Sequence, residues 1–317
     1  MSNNISQHEG APPKDLGFGT TATSTDIKLI NKDGTFNVRR KGLKFHESFH
    51  FYHYLITIPW WKFHVIIFSY FLVANLIFSS IFMFIGVEHI GGMIAHTWWE
   101  KTYETFFFSA QTLTTVGYGR INPIGFAASA LAAVESMLGL MGFALITGVL
   151  YGRFSRPDTN ILFSKNALIS PYKNVNAIMF RMANLRQSQL IETEVQFVIG
   201  YNKIVNGTTQ RAFDTLALER DKINFFPLSW TIVHPLDDNS DLRGFTVEDF
   251  KKYKAEFTVS VKAFDDTFHQ QVYARYSYSY SDMISGHKFV RSYNAAHDGV
   301  IEMDFEKFHL FEEAPLN

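Results

Sequence analysis

A chain of 317 residues with 47 % hydrophobic and only 19 % charged side chains is too apolar to be disordered throughout, and is charge-poor for a water-soluble protein of its size. Its 29 Lys and Arg nearly balance 30 Asp and Glu, so no overall field draws it to nucleic acid or to polyanions. The absence of cysteine excludes a disulfide framework, an iron–sulfur cluster, a thiolate zinc site and a cysteine nucleophile together.

Residues 1–38 read as a flexible N-terminal arm, because Ser, Asn, Thr, Gly and Pro dominate its first part and no apolar period is visible. Residues 39–157 read as a membrane domain. Its first element, 46–58, mixes histidines and aromatics at helical spacing, as expected of a helix lying in the membrane interface. His46, His50 and His53 recur at i, i+4 and i+7 and fit that helix; a zinc or pH-sensing site is the alternative, but no further ligand is evident. Pro59 then allows a sharp turn into a first span at 60–87. From Val65 to Val87 there are 23 residues without a charge, against ~20 needed to cross a bilayer.

The connection that follows contains a short helix at 102–113, rich in Phe106, Phe107 and Phe108, which runs into glycine-bearing extended backbone and reads as a re-entrant loop. A second span is expected at 121–154, where the 32 residues between Arg120 and Arg153 carry one charge, Glu135. Residues 28–62 hold seven basic side chains against two acids, Arg153, Arg156, Lys165 and Lys173 follow the second span, and the connection 88–119 is acidic. The positive-inside rule therefore puts both termini in the cytoplasm. Trp60 and Trp61 at one end, and Trp98 and Trp99 at the other, suit the two interfacial belts. Over 158–317 the period changes to two, in segments such as Ile191–Ile199, Phe257–Phe264, Gln271–Tyr280 and Val300–Phe305. Turn signals separate them, among them Asn206-Gly207 and Asp265-Asp266, which predicts a β-sandwich.

The chemistry sits in Thr114-Thr115-Val116-Gly117-Tyr118-Gly119. A cation stripped of water needs rings of fixed oxygens, and consecutive backbone carbonyls supply them only if the backbone conformation alternates. Gly117 and Gly119 take positive φ without steric cost, the Thr115 hydroxyl adds an oxygen, and Tyr118 can brace the loop. The carboxyl end of the 102–113 helix turns its partial negative charge toward the ion path. One chain supplies one such strand and cannot encircle an ion, so a closed ring of copies is required. Glu135 is the single intramembrane acid; it lies 16 residues before Tyr151, ~160° off that direction on a helix, so it is expected to face the re-entrant helix and brace the filter from behind, with direct ion contact as the alternative.

Thr115-Val116-Gly117-Tyr118-Gly119 matches the potassium-channel filter signature, and two spans before a large β domain resemble the inward-rectifier potassium channels, especially their prokaryotic branch. Similar landmarks continue in Ile161-Leu162-Phe163-Ser164-Lys165-Asn166-Ala167, Met179-Phe180-Arg181, Thr231-Ile232-Val233-His234 and Ser285-Gly286-His287-Lys288-Phe289. The resemblance implies a helical membrane pore of two transmembrane helices, a re-entrant pore helix and an interfacial slide helix, followed by a cytoplasmic immunoglobulin-like β-sandwich. It implies a homotetramer in a bacterial inner membrane that conducts K+ as permeant ion, with no organic cofactor, no enzymatic activity and no nucleic-acid partner. It puts Phe143 at the cavity position, Thr147 one turn below and Tyr151 at the inner constriction, where the alternative is an interfacial anchor; Gly139 is a candidate hinge. Gln111 stands where relatives commonly carry an acid behind the filter, and Arg120 where an acid often follows the last filter glycine. Glu192 and Asp282 resemble the acids that bind polyamine or Mg2+ blockers, with a plain solvated acid on a strand as the alternative. Arg39, Arg40, Lys41, Lys62, Arg153 and Arg156 are expected to meet anionic lipid headgroups or simply to anchor the chain. The competing function is a membrane-tethered β-sandwich for protein interaction, without conduction.

Overall fold

The computed structural model describes residues 30–32, 34, 35, 37, 42, 50–156, 160–186, 188–205, 208–226, 228–295 and 300–317. The chain divides into two units, residues 41–156 and residues 157–317 together with the N-terminal segment.

The first unit is helical. Helix α1 spans Phe51–Thr57, and Ile58 and Pro59 are extended before α2, Trp60–Ile85, which ends at Gly86 with φ +115°. Strand β1 (Ile90–Gly91), helix α3 (Trp98–Leu113), strand β2 (Asn122–Pro123) and helix α4 (Gly125–Phe154) follow. Residues 46–49 of the expected interfacial helix lie outside the described residues. The 26 and 30 residues of α2 and α4 give lengths of ~39 and ~45 Å, each enough to cross a bilayer. Their surfaces are inverted relative to soluble helices. Phe68, Phe84 and Phe126 are exposed, whereas the buried residues include Asn75, Ser79 and Glu135. Such faces call for an apolar surrounding, hydrocarbon or the matching face of another chain.

Two boundaries differ from the sequence expectation. The re-entrant helix starts at Trp98, four residues before 102, because Thr97 and Glu100 form a capping box: Thr97 Oγ1 accepts from Glu100 N, and Glu100 Oε2 accepts from Thr97 N at 2.8 Å. The second span starts at Gly125 instead of 121, because Asn122 and Pro123 pair with Gly91 and Ile90 before the helix begins.

The second unit is a β-sandwich. In chain order its strands are β3 (Ile161–Phe163), β4 (Ala167–Tyr172), β5 (Val175–Asn184), β6 (Leu190–Val205), β7 (Thr208–Leu216), β8 (Lys222–Phe226), β9 (Ser229–Pro235), β10 (Glu256–Asp265), β11 (Gln270–Ser279), β12 (Met283–Ser285), β13 (His287–Phe289), β14 (Tyr293–Ala295), β15 (Ile301–Met303) and β16 (Phe311–Glu313). One sheet runs β11-β10-β6-β7 with β8 also on β6; the other runs β12-β4-β5-β3 with β9 also on β5. Alternation buries Phe257, Val259, Val261 and Ala263 of β10 against Ile178, Phe180 and Met182 of β5. Phe180 meets Phe197 across the core at 5.1 Å between ring centroids. Each such buried ring contributes ~1.5–3 kcal/mol. A short helix, α5 (Val247–Lys252), was not legible as a helix-length pattern; Thr246 and Asp249 cap it and Phe250 docks it on Phe257.

His234, in one of the family-like landmarks, closes a corner of the sandwich. Its Nδ1 donates to Ala217 O at 2.6 Å and its Nε2 accepts from Ser240 Oγ at 2.8 Å. Burial pushes its pKa down despite the Ala217 bond, so the ring stays neutral. The flexible-arm reading of 1–38 is corrected at its far end. Ile30 is buried and accepts from Ser277 Oγ at 2.7 Å, and Lys32 Nζ donates to Asp282 Oδ1 at 2.6 Å, so residues 30–32 pack on the sandwich. Residues 1–29 lie outside the described residues.

Candidate functional site

The end of α3 hands the chain directly to the glycine segment. Thr114 N donates to Ala110 O at 3.1 Å, Thr115 N to Thr112 O at 3.0 Å and Val116 N to Gln111 O at 2.9 Å, so the helix is unwound in steps. Gln111 therefore acts here through its backbone carbonyl. Beyond it φ is +58° at Thr115, +55° at Gly117 and +85° at Gly119, while Val116 and Tyr118 between them have none of this left-handed character. Alternation of this kind is what allows successive carbonyls of a strand to face one side. Left-handed backbone at glycine is free of strain, but at β-branched Thr115 it is costly, a residue the sequence did not mark as strained. Among the described residues little covers Tyr118, which is 80 % exposed, and Val116 is 54 % exposed.

A polar triad joins the three helices behind it. Ser109 Oγ of α3 donates to Glu135 Oε1 of α4 at 2.5 Å, and Ser109 Oγ lies 3.1 Å from Asn75 Oδ1 of α2. All three residues are fully buried. Glu135 thus faces the re-entrant helix. Asn75 was missed as a partner, although Asn75, Ser79 and Phe82 recur at i, i+4 and i+7 and so share one helix face. One turn below, Ser136 Oγ donates to Thr112 O at 3.3 Å. Gly139 lies inside α4, and a Cβ there would overlap the Leu113 carbonyl, so its lack of a side chain permits the close approach of α4 to the end of α3.

On α4, Phe143, Thr147 and Tyr151 follow at intervals of four and so lie along one face, with Phe143 and Tyr151 mostly exposed in the single chain. Thr147 Oγ1 is engaged with Phe143 O at 2.8 Å. Phe143, Leu140 and Thr115 line one cavity of about 470 Å3, mostly apolar, between the helices and the inner end of the glycine segment.

The outer end is fastened differently. Arg120 Nη2 donates to Glu104 Oε1 at 3.0 Å and Arg120 Nη1 to Gly92 O at 3.1 Å. Glu104 Oε2 accepts from Ile94 N at 3.1 Å and Ala95 N at 3.2 Å. Sequence reasoning left Arg120 without a partner, because Glu104 lies 16 residues away.

Comparison with known proteins bears on this arrangement directly. Residues 65–156 match the family profile described as Ion channel, and residues 161–316 match the Inward rectifier potassium channel C-terminal domain. The chain is 35 % identical over 284 residues, 89 % of its length and 95 % of the relative's, to the inward rectifier potassium channel Kirbac3.1 of Paramagnetospirillum magnetotacticum. This chain belongs to the inward-rectifier potassium channel family. It is 25 % identical over 80 % of its length to ATP-sensitive inward rectifier potassium channel 12 of Gallus gallus and to inward rectifier potassium channel 18 of Homo sapiens, of which it spans 64 % and 63 %. The protein is therefore a membrane-embedded potassium channel with a helical pore and a cytoplasmic β-sandwich, and the non-conducting tether is not favoured.

Several channel residues take parts other than those the sequence implied. Arg153 does not project freely toward lipid headgroups. Its Nη1 donates to Leu55 O at 2.5 Å, its Nη2 to Ile58 O at 2.8 Å, and its guanidinium lies over the rings of Trp60 at 4.4 Å and Phe63 at 4.7 Å. Lys62 packs over Trp61 at 5.4 Å, and Arg156 is exposed. Arg39, Arg40 and Lys41 lie outside the described residues. Asp282, an expected blocker acid, is buried and occupied. Burial alone raises its pKa, but the hydrogen bonds from Lys32, Ser279 N and Ser279 Oγ outweigh it and hold the carboxyl below the ordinary value. Glu192 is exposed, with φ +47°, at a bulge of β6 where the pairing with β10 shifts register between Lys262 and Phe264.

Proposed function

We propose that four copies of the channel surround one axis and that the backbone of Thr115, Val116, Gly117, Tyr118 and Gly119 lines the ion path, with K+ as the permeant ion. The observation that carries this reading is the recurrence of left-handed backbone at 115, 117 and 119, which aligns the oxygens a dehydrated cation requires. A single such strand leaves Val116 and Tyr118 uncovered, and copies of the chain supply the missing walls. The α4 helices carry the cavity at Phe143 and Thr147 and close at Tyr151, where four aromatic rings form an apolar constriction that gates by dewetting. Glu135 and its partners Ser109 and Asn75 support the filter from behind. The basic flanks orient both termini to the cytoplasm of a bacterial inner membrane, with Lys62 and Arg156 as the exposed described cations available to anionic lipid.

With uncharged Phe143 in the cavity and Asp282 occupied, block by internal polyamine or Mg2+ rests on Glu192 and is weak. Chemical classes other than a passive pore are disfavoured by the chain's content: two spans per copy are too few for alternating access, and no hydrolase or phosphate-loop motif is present. Proteoliposomes holding the full chain test the proposal. Concentrative uptake of tracer rubidium, stopped by external barium and absent when sodium replaces potassium inside, is the expected result; uptake driven equally by sodium contradicts it.

A further inference from the structure

The two ends of the filter segment are held by different means. At the inner end, three backbone N–H groups, those of Thr114, Thr115 and Val116, bond to the last turn of α3. From Gly117 to Ile121 no backbone hydrogen bond is made among the described residues, and regular pairing resumes only at the two-residue ladder of β1 and β2. The outer end instead depends on the side chain of Arg120, the residue that directly follows Gly119. Its guanidinium bridges Gly92 O and the carboxylate of Glu104. The Glu104 side chain is 8 % exposed and collects two further donors, Ile94 N and Ala95 N, so it is a fixed acceptor inside the framework. Gly92, with φ +76°, lies so close to the Arg120 carbonyl that a Cβ there would overlap it. Neutral Gln111 contributes no charge to this network.

Resting on the reading of 115–119 as the filter, we infer that Glu104 and Arg120 are positioning residues that brace the outer half of the filter and thereby set its selectivity and its open lifetime. A shift of the Arg120 guanidinium is transmitted to Gly119 through a single peptide unit, whereas the inner end has its own backbone anchors. The brace is therefore specific to the external side of the ion path. The buried carboxylate needs Arg120 more than Arg120 needs it, because the Arg120 side chain is 52 % exposed and keeps access to water.

The test uses the full-length channel in planar bilayers, with bi-ionic reversal potentials for K+ against Na+ and single-channel burst durations. R120Q and E104Q each lower the potassium-to-sodium permeability ratio and shorten bursts by about tenfold, the scale of one lost charge-assisted hydrogen bond. R120K recovers only the part that its single charge on Glu104 supplies, because an ammonium cannot bridge Gly92 O and the carboxylate together; the double variant is no worse than the worse single one, and G92A reproduces the phenotype without touching either charge. Should E104Q fail to assemble, R120Q, R120K and G92A decide the matter, since the Arg120 side chain is half in solvent. Unchanged selectivity and bursts in R120Q, or additive losses in the double variant, overturn the brace. A wild-type channel that carries no potassium current defeats the filter assignment itself; a conducting wild type with an unaltered R120Q defeats the brace alone.

Discussion

Alanine at Gly117 removes potassium-selective flux from the assembled channel while leaving the β-sandwich folded. Gly117 holds φ at +55°, and a Cβ built there meets nothing within 4 Å of its own chain, so the cost is conformational and not a clash within the protomer. Left-handed backbone at an alanine costs ~1–2 kcal/mol per copy, roughly 4–8 kcal/mol over four copies. The cheaper response is for the peptide to rotate, which takes one oxygen of each strand out of the row and breaks the alternation that Thr115, Gly117 and Gly119 maintain. Rubidium uptake is expected to fall to background, and the thermal unfolding of the sandwich is expected to stay where it is, because residue 117 belongs to the other unit. Selective current in that variant contradicts the filter geometry.

A second large effect is expected at Arg153. Helix α1 has seven residues, too few to be stable in isolation, and its last carbonyls have no partner within the helix. Arg153 fills that need from the end of α4 by donating to Leu55 O and Ile58 O, with Trp60 and Phe63 beneath its plane. Tyr52 of α1 adds a contact by placing its hydroxyl against Gly152. The end of α4 that carries Tyr151 is thereby fastened to α1. Two charged hydrogen bonds at ~1.5–3 kcal/mol each, plus ~0.5–2 kcal/mol of cation–π attraction, are at stake. In R153Q the ratio of open to closed dwell times shifts by at least about tenfold, and R153K restores only part of it, because an ammonium cannot fork to two carbonyls. Dwell times measured with and without phosphatidylglycerol are expected to differ by the same ratio in wild type and in both variants. Unaltered dwell times together with a lost lipid response would assign Arg153 to the headgroups after all.

Much of the layout was legible because each part has its own local signal. The spans announce themselves by uncharged length, the sandwich by its period of two, and the left-handed positions at 117 and 119 by their glycines. Glu135 was placed against α3 from helical stride alone, and the structure finds it on Ser109. What escaped were pairings between residues distant in sequence: Glu104 with Arg120, Asn75 with Ser109, Arg153 with the carbonyls of Leu55 and Ile58, and Lys32 with Asp282. Charge pattern gives the number of cations near an interface but not their partners. Arg153 therefore reads as a lipid contact or an interfacial anchor, and Asp282 as a blocker acid or a solvated one. The early start of α3 is a different matter, since Thr97 and Glu100 stand at capping-box spacing and the signal was in plain view. Left-handed Thr115 is hidden from sequence because a β-branched residue is the last choice for such backbone.

The most direct measurement is the position of permeant ions in the assembled particle, read from the anomalous scattering of rubidium or thallium exchanged for potassium. The account predicts a row of ion peaks on the four-fold axis, each caged by carbonyl oxygens of residues 115–118 from every copy, with the lowest peak also meeting the Thr115 hydroxyl. Ion density confined to the cavity below Thr115, or a particle whose filter segments do not share an axis, contradicts it.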